Sequence, residues 1–246
     1  MSFLKEVVKS LNARLKYERP VERRTPLADF RSALGDFGII AEYKRASPSG
    51  IIRLDLQPWD YFAAMSGKAK AFSVLTEPFW FLGDWRFLEA AKEYGPALAK
   101  DFVVSKAQID VAYGHGADAV LLIEGLLGDD IAELAEYART LGITPLVEVG
   151  SEGELEAVKA MGLDALVGVN ARDLDTLDVS FERALEIAER ARGLDFILES
   201  GINTPAQVVR ACRAGARGVL IGTALMKRPE LINDILAELR ASGCPR

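Results

Sequence analysis

Residues 143–170 read ITPLVEVGSEGELEAVKAMGLDALVGVN. A short apolar run, Pro145–Val149, gives way to a segment of helical periodicity, Glu152–Met161, then to Gly162 and a second apolar run, Ala165–Val169. This is the order of a strand, a crossover helix and the next strand. The nearly unbroken apolar character of both runs marks strands buried on both faces, as parallel sheets require.

Outward from this stretch the same phase recurs roughly every 25 residues. The candidate strands are Ile39–Lys44, Ala69–Leu75, Ala97–Lys100, Ala119–Ile123, Pro145–Val149, Ala165–Val169, Asp195–Glu199 and Gly218–Ile221, eight in all. Helical stretches such as Ile131–Leu141, Phe181–Ala191 and Pro205–Ala214 lie between them, the last with Thr204 as N-cap and Pro205 at the first helical position. Gly142, Gly162, Gly193 and Gly215 end helices and lead into strands. Eight such units with right-handed crossovers predict an α/β fold, a (β/α)8 TIM barrel. An open doubly wound sheet would more often carry a glycine-rich dinucleotide turn after its first strand, where this chain has EYKRASPSG. Residues 1–36 precede the first strand and contain an amphipathic segment around Phe3–Leu15, which predicts an N-terminal helical extension packed on the barrel.

The chain has 246 residues, half of them hydrophobic, enough for one large core, so one domain over residues 1–246 is expected. A formal net charge of -6 gives no global attraction for polyanions. Nucleic acid and anionic membrane are therefore not expected as partners, and an anionic ligand must be held by a local cluster of positive groups. No run reaches membrane-spanning length, and the N-terminal segment mixes charges among its apolar residues, unlike a signal peptide. Cys212 and Cys244 lack metal-ligand spacing, and two thiols do not staple a chain of this length as small secreted scaffolds are stapled. Reduced thiols, a cytoplasmic location and a small-core-residue role for Cys212 are the expectation.

Charges interrupt this apolar pattern at the C-terminal ends of the strands. Glu42 and Lys44 close the first, Glu77 follows the second, Lys100 closes the third and Glu124 follows the fourth; Glu148 is in the fifth, Asn170 follows the sixth and Glu199 ends the seventh. Side chains alternate along a strand, so Glu42 and Lys44 point to the same side and can both overhang the barrel mouth. A single charged strand end reads as a solvated end or a structural ion pair. A ring of them on the rim where barrel active sites are built reads as a catalytic site. The seventh and eighth units, LESGINTPAQ and GVLIGTALMKRPE, each place a glycine directly after a strand, where backbone N–H groups can approach a phosphate. Gly201, Gly222 and Thr223 are the candidate donors. His115, in a loop at the opposite end of the barrel, and Trp59 and Trp85 are read as surface or packing residues, with Trp80 close enough to the second strand end to brush a ligand. No triad, nucleotide loop or metal cluster is read from the sequence, so no metal and no cofactor are expected.

Seven segments then carry a resemblance: AEYKRASPSG (41–50), LTEPFWFLGD (75–84), LAKDFVVSKAQI (98–109), LVEVGSEGEL (146–155), VGVNARDLDTL (167–177), LESGI (198–202) and GVLIGTALMK (218–227). In this order they resemble the signature segments of the indole-3-glycerol phosphate synthase family over essentially the whole barrel. The resemblance implies a carboxy-lyase of tryptophan biosynthesis that closes 1-(2-carboxyphenylamino)-1-deoxyribulose 5-phosphate to indole-3-glycerol phosphate, with loss of carbon dioxide and water. It implies Lys100 as general acid and Glu148 as general base, with Glu42, Lys44, Asn170 and Glu199 completing the polar rim. Ser47, Arg172, Gly201, Gly222 and Thr223 would hold the phosphate, Ser200 would contact the substrate, and Glu77, Phe81 and Phe102 would border it. Two departures stand out: Glu124 where the family commonly has a small or apolar residue, and a SPSGI loop one residue shorter than in many members.

Two other readings share these residues: a lyase in which Lys44 or Lys100 forms a Schiff base with a sugar-phosphate carbonyl, and a non-catalytic sugar-phosphate-binding barrel. A monomer, with association with other tryptophan-pathway enzymes, is the expected state.

Overall fold

In a computed structural model of the chain, which describes residues 3–173 and 176–245, eight parallel strands close into a barrel. They are β1 (Gly38–Tyr43), β2 (Ala71–Leu75), β3 (Ala97–Lys100), β4 (Ala119–Ile123), β5 (Thr144–Val149), β6 (Leu166–Asn170), β7 (Phe196–Glu199) and β8 (Gly218–Ile221). Each pairs with its sequence neighbour, and β1 closes the ring on β8, with Gly38 opposite Gly218 and Ala41 opposite Ile221. The predicted (β/α)8 barrel is the observed one. Its strands begin and end within two residues of expectation: Lys44 lies one residue beyond β1, and Asn170 is the last residue of β6 rather than the residue after it. Met1, Ser2, Leu174, Asp175 and Arg246 lie outside the described residues.

The strands are apolar on both faces because two cores flank them. Ile40, Leu98, Leu121, Leu146, Leu166, Ile197 and Leu220 fill the barrel interior, while Val74, Val120, Val147, Val167, Leu198 and Val219 face the surrounding helices. Helix ends follow the sequence signals. Thr204 and Gln207 form a reciprocal capping box at the start of Pro205–Arg213, and Gly162 ends Glu152–Met161 in the left-handed conformation that a side chain disfavours.

The N-terminal extension is only partly helical. A helix spans Phe3–Arg14, a second short one Phe30–Ala33, and the chain between them is irregular, as Pro20 and Pro26 dictate. Arg23 straps this segment to the barrel by donating to the carbonyls of Ala117 and Tyr113 and to Asp118.

The cysteines overturn an expectation. Cys212 and Cys244 are disulfide-bonded, with their Cα atoms 6.4 Å apart. The helix Leu231–Ala241 packs against Pro205–Arg213 and returns the C-terminus to a residue 32 positions earlier, a proximity that spacing alone hides. Loss of this cross-link should lower the unfolding free energy by about 2–4 kcal/mol, because the unfolded chain regains loop freedom. Guanidinium denaturation of Cys244→Ser against wild type without reductant measures it; equal stability would mean that the cysteines do not pair in solution.

Candidate active site

The C-terminal ends of the strands surround a cavity open to solvent. Its floor is apolar, with Leu75, Leu121, Ile123 and Leu220, and its rim is charged. Every site residue that the family resemblance implies lines it: Glu42, Lys44, Ser47, Glu77, Phe81, Lys100, Phe102, Glu148, Asn170, Arg172, Glu199, Ser200, Gly201, Gly222 and Thr223.

Lys100, at the end of β3, is shared between two carboxylates from other strands. Its Nζ lies 2.5 Å from Glu199 Oε2 and 3.2 Å from Glu148 Oε2. Burial works against its ammonium, yet the negative charges of Glu199, Glu148 and Glu42 outweigh burial and raise its pKa above the usual lysine value. Glu199 is displaced the opposite way for a carboxylate. Burial first, then Glu148 and Glu42, push it up to about 7 against the pull of Lys100. Its second oxygen, Oε1, is buried without a hydrogen-bond partner. The second ion pair is local: Lys44 Nζ sits 2.5 Å from Glu42 Oε1, as the i, i+2 spacing on one strand face predicts.

The remaining residues divide by what their polar atoms do. Asn170 Oδ1 accepts from the backbone N–H of Arg172, the Arg172 guanidinium donates to the Leu177 carbonyl, and all three residues line the cavity. Ser200 and Gly201, with φ of 65° and 67°, turn the chain sharply out of β7 so that both face the cavity. The SPSGI loop forms a two-residue hairpin, Ala46–Ser47 with Gly50–Ile51, and despite its shortness Ser47 reaches the lining. Glu77 borders the cavity, but its carboxylate accepts the backbone N–H groups of Phe79, Trp80 and Phe81, so it organises its own loop.

Four residues correct or extend the sequence reading. Trp80 does not line the cavity; it packs edge-on against Phe3, at 5.3 Å between ring centroids. Glu124 is also outside the lining, at the start of a short helix, with its pKa raised by burial and by Glu154 and Asp129. Phe3 itself was missed: it reaches the cavity from the N-terminal helix and stacks edge-on with Phe102 at 5.9 Å. Nothing in its local spacing signalled this. Asp101, next to Lys100, was missed as well; it is buried and bonded to Arg14, Thr76 and its neighbour's N–H. Among the described residues, no group of His, Cys, Asp and Glu is arranged to hold a metal ion.

The chain is similar to known proteins over most of its length. The family model for indole-3-glycerol phosphate synthase matches residues 4–237. The chain belongs to this family. An indole-3-glycerol phosphate synthase of Pyrobaculum arsenaticum is 56% identical over 238 residues, covering 96% of each chain. One from Aeropyrum pernix is 42% identical over 207 residues, 82% of this chain and 79% of that one. A crystal structure of 3-hexulose-6-phosphate synthase shares the fold, with a TM-score of 0.65, 16% identity and coverage of 83% of this chain and 99% of that one. The resemblance read from seven segments is thus the family relationship itself.

Gly222, in one of those family segments, leaves the room that an ion pair at the mouth occupies. A Cβ there would lie 2.9 Å from the Glu42 Cδ and 3.1 Å from the Lys44 Nζ. Gly222→Val should therefore lower kcat roughly tenfold or more as well as raise KM, since it displaces an ion pair at the mouth along with any bound anion. Steady-state kinetics separate the two; an effect on KM alone would mean that Glu42 and Lys44 yield without consequence.

Proposed function

We propose that the chain catalyses the closure of 1-(2-carboxyphenylamino)-1-deoxyribulose 5-phosphate to indole-3-glycerol phosphate, releasing carbon dioxide and water. The observation that carries this reading is the Lys100 ammonium held between Glu148 and Glu199 above an apolar floor. Ring closure joins a ring carbon to the ketone carbon of the sugar, and its barrier falls when a proton donor meets the ketone oxygen. The later dehydration needs a proton removed and a hydroxyl protonated as it leaves. Lys100 serves as the acid and Glu148 as the base, each worth on the order of 10²- to 10⁴-fold. Glu199 holds Lys100 in place, Glu42 orients Lys44, and Lys44 pairs with the benzoate carboxylate. Ser47, Arg172, Gly201, Gly222 and Thr223 hold the phosphate, Ser200 and Asn170 contact the sugar, and Phe81, Phe102 and Glu77 border the aromatic ring.

The Schiff-base reading through Lys100 is disfavoured by the two carboxylates beside it. An amine nucleophile must be neutral, and the carboxylates around Lys100 stabilise its protonated form. In our reading the protein needs no cofactor and works as a cytoplasmic monomer, alongside other tryptophan-pathway enzymes. The described residues include no helix long and apolar enough to cross a membrane. The disulfide is the feature that sits against a reducing compartment.

Incubation with the anilino-ribulose phosphate should produce indole fluorescence, with no protein adduct on borohydride treatment. Binding without turnover would favour the non-catalytic barrel, and a stable adduct would favour the aldolase-type lyase.

A further inference from the structure

β6 reads LVGVN, and its third residue has no conformational reason to be glycine. Gly168 does not adopt the left-handed backbone that favours glycine, and a glycine weakens a strand interior by leaving nothing to pack. Its place in the barrel supplies the reason. Leu166 and Asn170 on the same face point into the barrel and its cavity, so the missing Gly168 side chain leaves a gap in the interior at the level of Glu148, its partner on β5. The Glu199 carboxylate fills that gap. A Cβ on Gly168 would overlap Glu199 Oε1 and lie 3.2 Å from its Cδ and 3.4 Å from Leu146 Cδ1.

We propose that Gly168 is a positioning residue: its missing side chain forms the slot that seats the Glu199 carboxylate against Lys100. One oxygen, Oε2, meets Lys100 at 2.5 Å, while Oε1 is held in the slot beside Leu146 without a partner. The charged groups facing this carboxylate are Lys100 from β3, Glu148 from β5 and Glu42 from β1. The slot also keeps water from Oε1, in line with a Glu199 pKa of about 7, for which burial is the leading cause. The inference deepens the proposed acid–base role of Lys100 and rests on that reading for its kinetic consequences only.

The test is Gly168→Ala. Its methyl group must push the carboxylate toward the mouth, lengthening the contact to Lys100 and admitting water. We expect kcat to fall about tenfold or more with KM changed less than about threefold, since a small misplacement of a reacting group acts on turnover. Burial is the leading cause of the raised Glu199 pKa and the pull of Lys100 the second, so admitted water outweighs the longer Lys100 contact, and the protonated-carboxyl infrared band that Glu199→Gln removes should titrate at lower pH in Gly168→Ala than in wild type. In a Glu199→Gln background Gly168→Ala should cost kcat less than about threefold further, because the residue acts through Glu199. A purely structural role would move thermal stability and leave the infrared titration and the non-additivity absent, which would overturn the proposal. Should Gly168→Ala fail to fold, Leu146→Ala opens the slot from its other wall and must shift the same band to lower pH; an unmoved band overturns the proposal. If wild type does not turn over the anilino-ribulose phosphate, the functional reading fails, and the infrared titration still decides the slot.

Discussion

Lys100→Met should lower kcat by roughly 10²-fold or more while changing KM less, because it removes a proton donor needed in the transition state and keeps most of the apolar stem. Steady-state turnover of the anilino-ribulose phosphate, followed by indole fluorescence, measures it. The substitution also leaves Glu199, Glu148 and Glu42 crowded in one buried rim without their shared cation. Glu199, already pushed up to about 7, loses the cation that holds its pKa down and binds its proton more readily still. Glu148→Gln should lose a similar factor, since it keeps the shape and removes the base. Lys44→Ala should raise KM as well, if its ammonium grips the benzoate. Near-wild-type turnover by Lys100→Met, beside a dead Lys44→Ala of unaltered affinity, would reverse the two lysines.

The second large effect is on stability. Asp118 is fully buried at the foot of β4, where Oδ1 accepts from the Arg23 guanidinium and the Ala28 N–H, and Oδ2 accepts from Lys92 and the Ala97 N–H. Asp118→Ala strands two buried cations and two backbone donors, which should cost about 3–5 kcal/mol. For a chain of this size the melting temperature should fall on the order of 10 °C. Calorimetry or denaturant titration reads the loss. A change below about 1 kcal/mol would show that water replaces the carboxylate and that the strap from residues 23–28 contributes little.

The barrel and the candidate rim were legible for one physical reason. Strands with helices outside and a packed interior admit charge only where they end, so Lys100, Glu148 and Glu199 stood out against Ala97–Ala99, Leu146–Val147 and Phe196–Leu198. Glu42 and Lys44 were readable as a pair because strand alternation is local. Glu124 obeyed the same pattern and was misleading, since a helix begins at that residue and carries it away from the cavity.

By itself, the sequence determined the eight-unit phase, the end of the barrel at which the charges gather and the family to which the chain belongs, because these depend on periodicities and motifs within a few tens of residues. Only the tertiary structure decided which partners meet. Closure of the ring brings Lys100 to a glutamate 99 residues away, the N-terminal helix sends Phe3 into the cavity, Asp118 gathers four donors from two distant stretches, and the C-terminal helix returns Cys244 to Cys212. Each is a contact between distant stretches, set by how the strands and helices pack, and no local pattern encodes it.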